Sequence, residues 1–304
     1  MLRDKERIYP DIFLAGAPKA GTTTLFDMLN EHPLIQGANN KEPAFYMDAD
    51  SPHNQANLSN PQKSYQAFFA PFVESALHLD GSTQTMYQKG LAKELAISSL
   101  KPKFIFILRD PAERIYSSFN YTANNLASIE GISFEAYQEL LLSDRLNDLK
   151  PFCKNERAFY SMSHELKFSQ YHTFLSMWQK VLGKDQFLVL TFEQLKSDPQ
   201  AIWKEVLAFL ILNEVPLPKG VGQSNPTRSV RNPKLHYLLH QTYERMGNQI
   251  PLLNGLKKTY SRLQYSSKKP SMAPSLLDGL TAYFQPWNKQ LADDFDVDIS
   301  RWRS

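Results

Sequence analysis

Residues Asp11 to Ala17 (DIFLAGA) form a short apolar run that enters a Pro/Gly turn, Ala17 to Gly21, and then the segment TTTLFDMLNEH. An apolar run this short, ending at turn residues, predicts a buried strand. Leu25, Met28 and Leu29 fall at i, i+3 and i+4, which predicts a helix with one apolar face, closed by Pro33. A strand, a glycine turn and a helix in succession restrict the fold more than any other feature of the chain. The turn lets backbone amides converge on an anion, and the helix start adds partial positive charge at the same point. Lys19 adds a full charge within the turn, and Thr22, Thr23 and Thr24 add hydroxyl donors on the first helical turn.

The glycine spacing of Gly16-Ala-Pro-Lys19-Ala20-Gly21-Thr22 matches a nucleotide-triphosphate P-loop, but the lysine does not. That motif needs its lysine directly before the Ser or Thr. Thr22 occupies that place here, and Lys19 has moved into the turn. An ordinary ATPase or GTPase is therefore disfavoured. A tight structural turn carrying a surface lysine accounts for this segment alone about equally well.

Further along, Phe104 to Leu108 (FIFIL) and Phe187 to Thr191 (FLVLT) predict two more buried strands, and His78 to Ser82 a short one. In RDPAERIYSSF, Asp110 can cap a helix, Pro111 suits the first helical position, and Glu113 completes a capping box. Helices are expected over Tyr171 to Leu182 and Pro199 to Leu212, a long loop over 213–234, and two helices to finish. The stripe Leu175, Trp178, Leu182 reads as core. Strands alternating with helices predict an α/β fold: a P-loop-type parallel sheet flanked by helices on both faces, in a single domain over 8–304. Segments 48–75 and 122–160 are polar excursions, expected on the acceptor side.

The chain's 304 residues are enough for a sizeable core. Lys and Arg number 34 against 31 Asp and Glu, so the net charge of +3 argues against a nucleic-acid partner while allowing local anion sites. Cys153 is the one cysteine, which excludes an internal disulfide and fits a reducing compartment. The start MLRDKERIYPDIFLAG does not read as a signal peptide, and no stretch approaches the roughly 20 apolar residues of a membrane helix. A soluble cytoplasmic protein is expected. No His/Asp/Glu cluster has metal-ligand spacing, so no metal is expected.

The order strand, GAPKAGTTTL, helix, then strand, ILRDPAERIYSSF, helix resembles the sulfotransferase superfamily, with its bacterial and heparan-sulfate-type members. KEPAFY (Lys41 to Tyr46), TFEQLKSDP (Thr191 to Pro199), SNPTRSVRNPKL (Ser224 to Leu235) and YFQPWNKQLADDFDVDISRW (Tyr283 to Trp302) resemble further segments of that family in order. The likeness covers roughly residues 10–302. It implies that the chain uses 3′-phosphoadenosine-5′-phosphosulfate (PAPS) and moves its sulfuryl group to a hydroxyl or amine. The product would be adenosine 3′,5′-bisphosphate (PAP). By this resemblance Lys19, Ala20, Gly21, Thr22, Thr23 and Thr24 hold the 5′-phosphosulfate, and Arg109 and Ser117 hold the 3′-phosphate. Glu42 takes the acceptor's proton, and Arg228 and Arg231 close over the nucleotide.

The residue chemistry fits these roles. Lys19 beside the bridging oxygen would stabilise charge on the leaving group of a loose in-line transition state. Arg109 ends a strand, where a guanidinium can grip a phosphate with two bonds. Other readings stand beside these. Arg109 can pair with Asp110 or Glu113, Ser117 can be an exposed helix hydroxyl, and Glu42 can be a surface carboxylate paired with Lys41. Arg228 and Arg231, with Lys234 near, can be a solvated basic loop. His32, His53 and His78 compete with Glu42 as the base. The chain also departs from the heparan-type pattern: in Asp80-Gly81-Ser82-Thr83-Gln84, Ser82 falls where a catalytic lysine would be, and Ala44 replaces the usual His.

The acceptor, whether small molecule, carbohydrate, lipid or polyketide-type, has no readable motif. The alternatives are a P-loop small-molecule kinase using ATP and magnesium, and a non-catalytic nucleotide-binding protein.

Overall fold

The computed structural model describes residues 10–54, 65–219, 229–230, 265–266 and 274–303. In chain order the elements are β1 (Ile12–Gly16), α1 (Thr22–Asn30), β2 (Ile35–Gly37), β3 (Leu77–Asp80), α2 (Lys89–Ile97), β4 (Lys103–Leu108) and α3 (Pro111–Asn120). There follow α4 (Phe134–Leu142), α5 (Glu156–Ser163), α6 (Glu165–Phe168), α7 (Tyr171–Leu182), β5 (Phe187–Thr191), α8 (Phe192–Ser197) and α9 (Pro199–Phe209). A two-residue pair, β6 (Ser229–Val230) and β7 (Tyr265–Ser266), precedes α10 (Asp278–Phe295).

The main sheet has five strands in the order β2-β3-β1-β4-β5, and every pairing in it is parallel. Because side chains alternate across a strand, each strand feeds two cores. Ile12, Leu14, Ile105 and Ile107 point to one face and pack with Leu25 and Leu29 of α1 and Ile202, Trp203 and Val206 of α9. On the other face Phe13 stacks on Phe104 at 4.7 Å, and Phe104 meets Trp178 of α7 at 4.6 Å. Trp178 is fully buried and donates its indole N–H to the Met86 carbonyl at 2.8 Å, so its burial leaves no polar group unmet. Burying a large apolar side chain of this kind contributes about 1.5–3 kcal/mol. The parallel sheet with helices on both faces is the architecture expected from the sequence.

The three apolar runs are strands, the short run at 78 is a strand, and α7 and β5 have the expected bounds. The helix from Pro199 ends at Phe209, before Leu212. Segment 122–160 carries a π-type turn (Tyr121–Asn125), α4 and α5. The expected capping box at α3 forms only in part. Glu113 N–H donates to Asp110 Oδ1 at 2.9 Å, but the Glu113 carboxylate turns to Arg109 and does not return to the cap. A complete box caps α8: Gln194 N–H donates to Thr191 Oγ1 at 3.3 Å and Thr191 N–H to Gln194 Oε1 at 3.2 Å. Of the two closing helices, α10 is present; the other falls outside the described residues, as do most of the 213–234 loop and residues 55–64 of the first excursion.

The contacts of the chain divide into two compact units. One is Met1–Arg114, Gln170–Ser224 and Phe284–Ser304, and contains the five-stranded sheet. The other is Ile115–Ser169 and Asn225–Tyr283. Its packing centres on Tyr137, which donates its hydroxyl to the Met162 carbonyl at 2.8 Å, and on the buried pair in which Ser118 donates to Glu165.

Candidate active site

The glycine turn leaves β1 at its carboxyl end, where parallel α/β sheets open a crevice. Lys19 has φ 67° and Gly21, the N-cap of α1, has φ 89°. Gly21 is needed for a second reason: a Cβ there would lie 2.6 Å from Cδ2 of Phe192. Two turn amides are used internally, since Ala17 N–H donates to the Ile107 carbonyl at 2.7 Å and Ala20 N–H to the Ala17 carbonyl at 3.3 Å. Ala20 therefore contributes to the turn's shape, and its amide faces inward to Ala17. The amides of Thr22, Thr23 and Thr24 head α1, where no helical carbonyl is available to them.

Lys41 and Glu42 lie across the exit of β3. Gly81 N–H donates to the Lys41 carbonyl at 2.9 Å, and Ala38 N–H to the Leu79 carbonyl at 3.0 Å. The Lys41 ammonium donates to three oxygens: Glu42 Oε1 at 2.9 Å, Gly81 O at 3.2 Å and Thr22 Oγ1 at 3.3 Å. Thr83 Oγ1 donates to the other Glu42 oxygen at 3.2 Å. The Lys41–Glu42 pair weighed from the sequence exists, with its two partners unequally exposed. The Lys41 side chain is 18% exposed, while Glu42, at 44%, stays open to an incoming molecule.

Beneath this pair, the buried Asp80 carboxylate accepts from Tyr65 Oη at 3.0 Å and from Ser82 N–H at 2.8 Å. Burial raises its pKa above the usual carboxylate value. Ser82 accepts from Ala44 N–H at 2.9 Å and so joins the two loops.

Arg109 leaves β4 next to the turn. Its guanidinium donates to the Lys19 carbonyl at 3.4 Å, pairs with Glu113 at 3.2 Å and lies 4.9 Å from the Phe192 ring. Its backbone is braced by distant residues. Tyr171 Oη donates to the Arg109 carbonyl at 2.9 Å, and Asp110 N–H donates to Glu193 Oε1 at 3.3 Å. Arg303 N–H donates to Asp110 Oδ2 at 2.7 Å, and Trp302 Nε1–H to Glu193 Oε2 at 2.9 Å. Burial raises the Glu193 pKa. Sequence reading noted the segments holding Glu193 and Trp302 but assigned them no role. Lys41 and Thr83 were missed as site residues because their contacts span about forty positions.

Ser117 is a buried residue of α3. Arg228, Arg231 and Lys234 lie outside the described residues. His32 is buried past the end of α1, its Nδ1 accepts from Leu34 N–H at 3.2 Å, and burial lowers its pKa. His78 sits at the entry end of β3, 3.4 Å from Asp11 and stacked on Phe72. Both have structural surroundings. His53 lies in a turn where its backbone N–H donates to Ser51 Oγ at 3.3 Å. Among the described residues no group of three His, Cys, Asp or Glu could hold a metal ion, and no helix is long and apolar enough to cross a membrane.

A sulfotransferase domain model matches residues 9–294. The chain belongs to the sulfotransferase family. Mouse carbohydrate sulfotransferase 15 is 24% identical over 271 residues, a match covering 75% of this chain and 48% of that protein. Human bifunctional heparan sulfate N-deacetylase/N-sulfotransferase 3 is 25% identical over 207 residues, covering 66% of this chain and 22% of that protein. The chain thus spans about half the length, or less, of these curated relatives. The crystal structure of a sulfotransferase from Alicyclobacillus acidocaldarius shares the fold, with a TM-score of 0.68 at 20% identity over 97% of this chain and 99% of that one. The chain therefore carries the sulfotransferase domain over most of its length, and the kinase alternative is not favoured.

Proposed function

We propose that this chain transfers the sulfuryl group of PAPS to a hydroxyl or amine of a carbohydrate acceptor, by in-line displacement. One observation carries the reading. Lys19, the Thr22–Thr24 helix start, Glu42 and Arg109 all stand at the exits of three neighbouring strands, β3, β1 and β4. In this reading the helix start cradles the 5′-phosphate, and Lys19 stabilises charge on its leaving oxygen. Arg109 exchanges its Glu113 partner for the 3′-phosphate, a fork geometry it can match with two bonds. Ser117, Arg228 and Arg231 complete the nucleotide site by family resemblance.

Glu42, held by Thr83 and Lys41 and 44% exposed, takes the acceptor's proton. The sulfur–oxygen bond to the phosphate breaks as the bond to the acceptor forms, leaving PAP, the sulfated acceptor and a proton on Glu42. The named relatives act on carbohydrates, which supports a sugar acceptor, and Phe45 and Tyr46 add partly exposed aromatic surface beside Glu42. Segments 48–75 and 122–160 would contribute the acceptor side. A cytoplasmic setting rests on the lone Cys153, whose thiol is pushed up to about 11 by burial and the neighbouring Glu156.

Calorimetric titration of PAP without magnesium, with ATP as control, tests the donor. Wild type should bind PAP in preference to ATP, and Arg109→Ala should weaken PAP by roughly 10-fold or more, about 1.4 kcal/mol. No PAP binding, or ATP binding that requires magnesium, would reject the reading.

A further inference from the structure

Glu42 presents a problem that the donor reading alone does not solve. A carboxylate that deprotonates the acceptor must stand close to the sulfate it is about to receive, and both are anions. Like charges at such range repel strongly in a partly buried site. Lys41 is a cation in contact with both the base and the donor cradle. Its ammonium touches Glu42 Oε1 at 2.9 Å on one side and Thr22 Oγ1, in the donor cradle, at 3.3 Å on the other. The sulfuryl group passes from the cradle to the acceptor atom whose proton the base takes, so a group that touches both cradle and base lies alongside that transfer.

The ammonium is also fixed in place. Gly81 O accepts from it at 3.2 Å, Gly81 N–H donates back to the Lys41 carbonyl at 2.9 Å, and the side chain is 18% exposed. Asp80, below the site, is bonded by Tyr65 and Ser82. The Ser82 hydroxyl is committed to Ala44 N–H.

Resting on the PAPS reading above, we propose that Lys41 is the residue that holds the sulfate end of the donor, screening it from Glu42 while it is bound. Lys41 is then a sulfate-binding residue with no large part in holding the nucleotide. It discriminates PAPS, which carries the sulfate, from PAP, which does not.

The test needs no acceptor. PAPS and PAP are each titrated calorimetrically into wild type, Lys41→Met, Lys41→Arg and the same two variants in a Glu42→Gln background. Lys41→Met should weaken PAPS by about 10-fold or more, as expected for loss of a charge-assisted contact, and PAP by less than about 2-fold. Lys41→Arg should keep most of the PAPS affinity. With Glu42→Gln there is no carboxylate to screen, so the loss from Lys41→Met should shrink to a few-fold. Unchanged PAP binding also shows that the variant folds; if Lys41→Met does not fold, Lys41→Gln is read the same way. Equal weakening of both nucleotides, no weakening, or a loss that Glu42→Gln leaves unaltered would overturn the proposal while the donor reading stands. A wild type that binds neither nucleotide would reject the donor reading and this inference with it.

Discussion

At the turn after β1 the anion corner is made of backbone: left-handed residues at Lys19 and Gly21, two internal amide bonds, and a helix start. At the exit of β4 the corner is made of one side chain, Arg109, whose backbone is held by Tyr171, by Glu193 through Asp110, and by the 302–303 segment. The first corner is built mainly from one run of consecutive residues, tied to β4 through Ile107. The second draws its support from positions up to 193 residues away in sequence. A local corner fails when its own residues change shape. A braced corner fails when residues that never meet the ligand are altered.

The largest effect should come from breaking the local corner. Gly21→Ala imposes a left-handed backbone on a residue with a Cβ, about 1–2 kcal/mol, and drives that atom toward Phe192, an overpacking of typically about 1–3 kcal/mol. Urea unfolding should show a loss in that combined range, with PAP binding lost as well. A variant of wild-type stability would mean that the turn is not rigidly specified.

A smaller effect is expected at the braced corner. Trp302→Phe removes one donor from the half-buried Glu193 carboxylate, which should destabilise the fold by about 1–3 kcal/mol. It should also weaken PAP more than adenosine 5′-monophosphate, which lacks the 3′-phosphate. Equal weakening of the two nucleotides would show that the brace does not reach Arg109.

The smallest effect concerns pH. Burial raises the Asp80 pKa, so this group binds its proton more tightly folded than unfolded. Its contribution to stability is fully present below the unfolded value of about 3.9 and is lost as pH rises through the folded value. Asp80→Asn removes that term while keeping an acceptor for Ser82 N–H. The decline of melting temperature on going from about pH 4 toward neutrality should be shallower in the variant. A wild-type slope would mean that Asp80 titrates alike in both states.

The same contrast explains what the sequence made legible. The β1 turn, β4, β5 and α7 were readable because each is defined by neighbours within a dozen residues: apolar runs ended by turn residues, or one apolar stripe at helical spacing. Strand β2 (Ile35–Gly37) was missed because three residues are too few to show alternation, and it forms because β3 offers it a partner. Helix α2 begins at Lys89 after a cap that no side chain signals, since the Asp48 carboxylate receives the Lys89 and Gly90 amides from forty positions away. In the site, Lys19, Thr22 and Arg109 carried visible motif chemistry. Lys41 and Thr83 did not, because their meaning lies in contacts between β3 and the segment after α1. Glu113 read as a helix cap, and the nearby guanidinium claimed it instead.

Phe192 belongs to both corners. One edge of its ring closes on the Cα of Gly21, and the Arg109 guanidinium lies against the same ring. A larger residue at 21 is tolerable only if 192 shrinks, and a smaller residue at 192 withdraws the surface beneath Arg109. Positions 21, 109 and 192 should therefore drift together through evolution or not at all. Swapping any one of them alone for the residue of a distant relative is expected to be worse than transplanting all three.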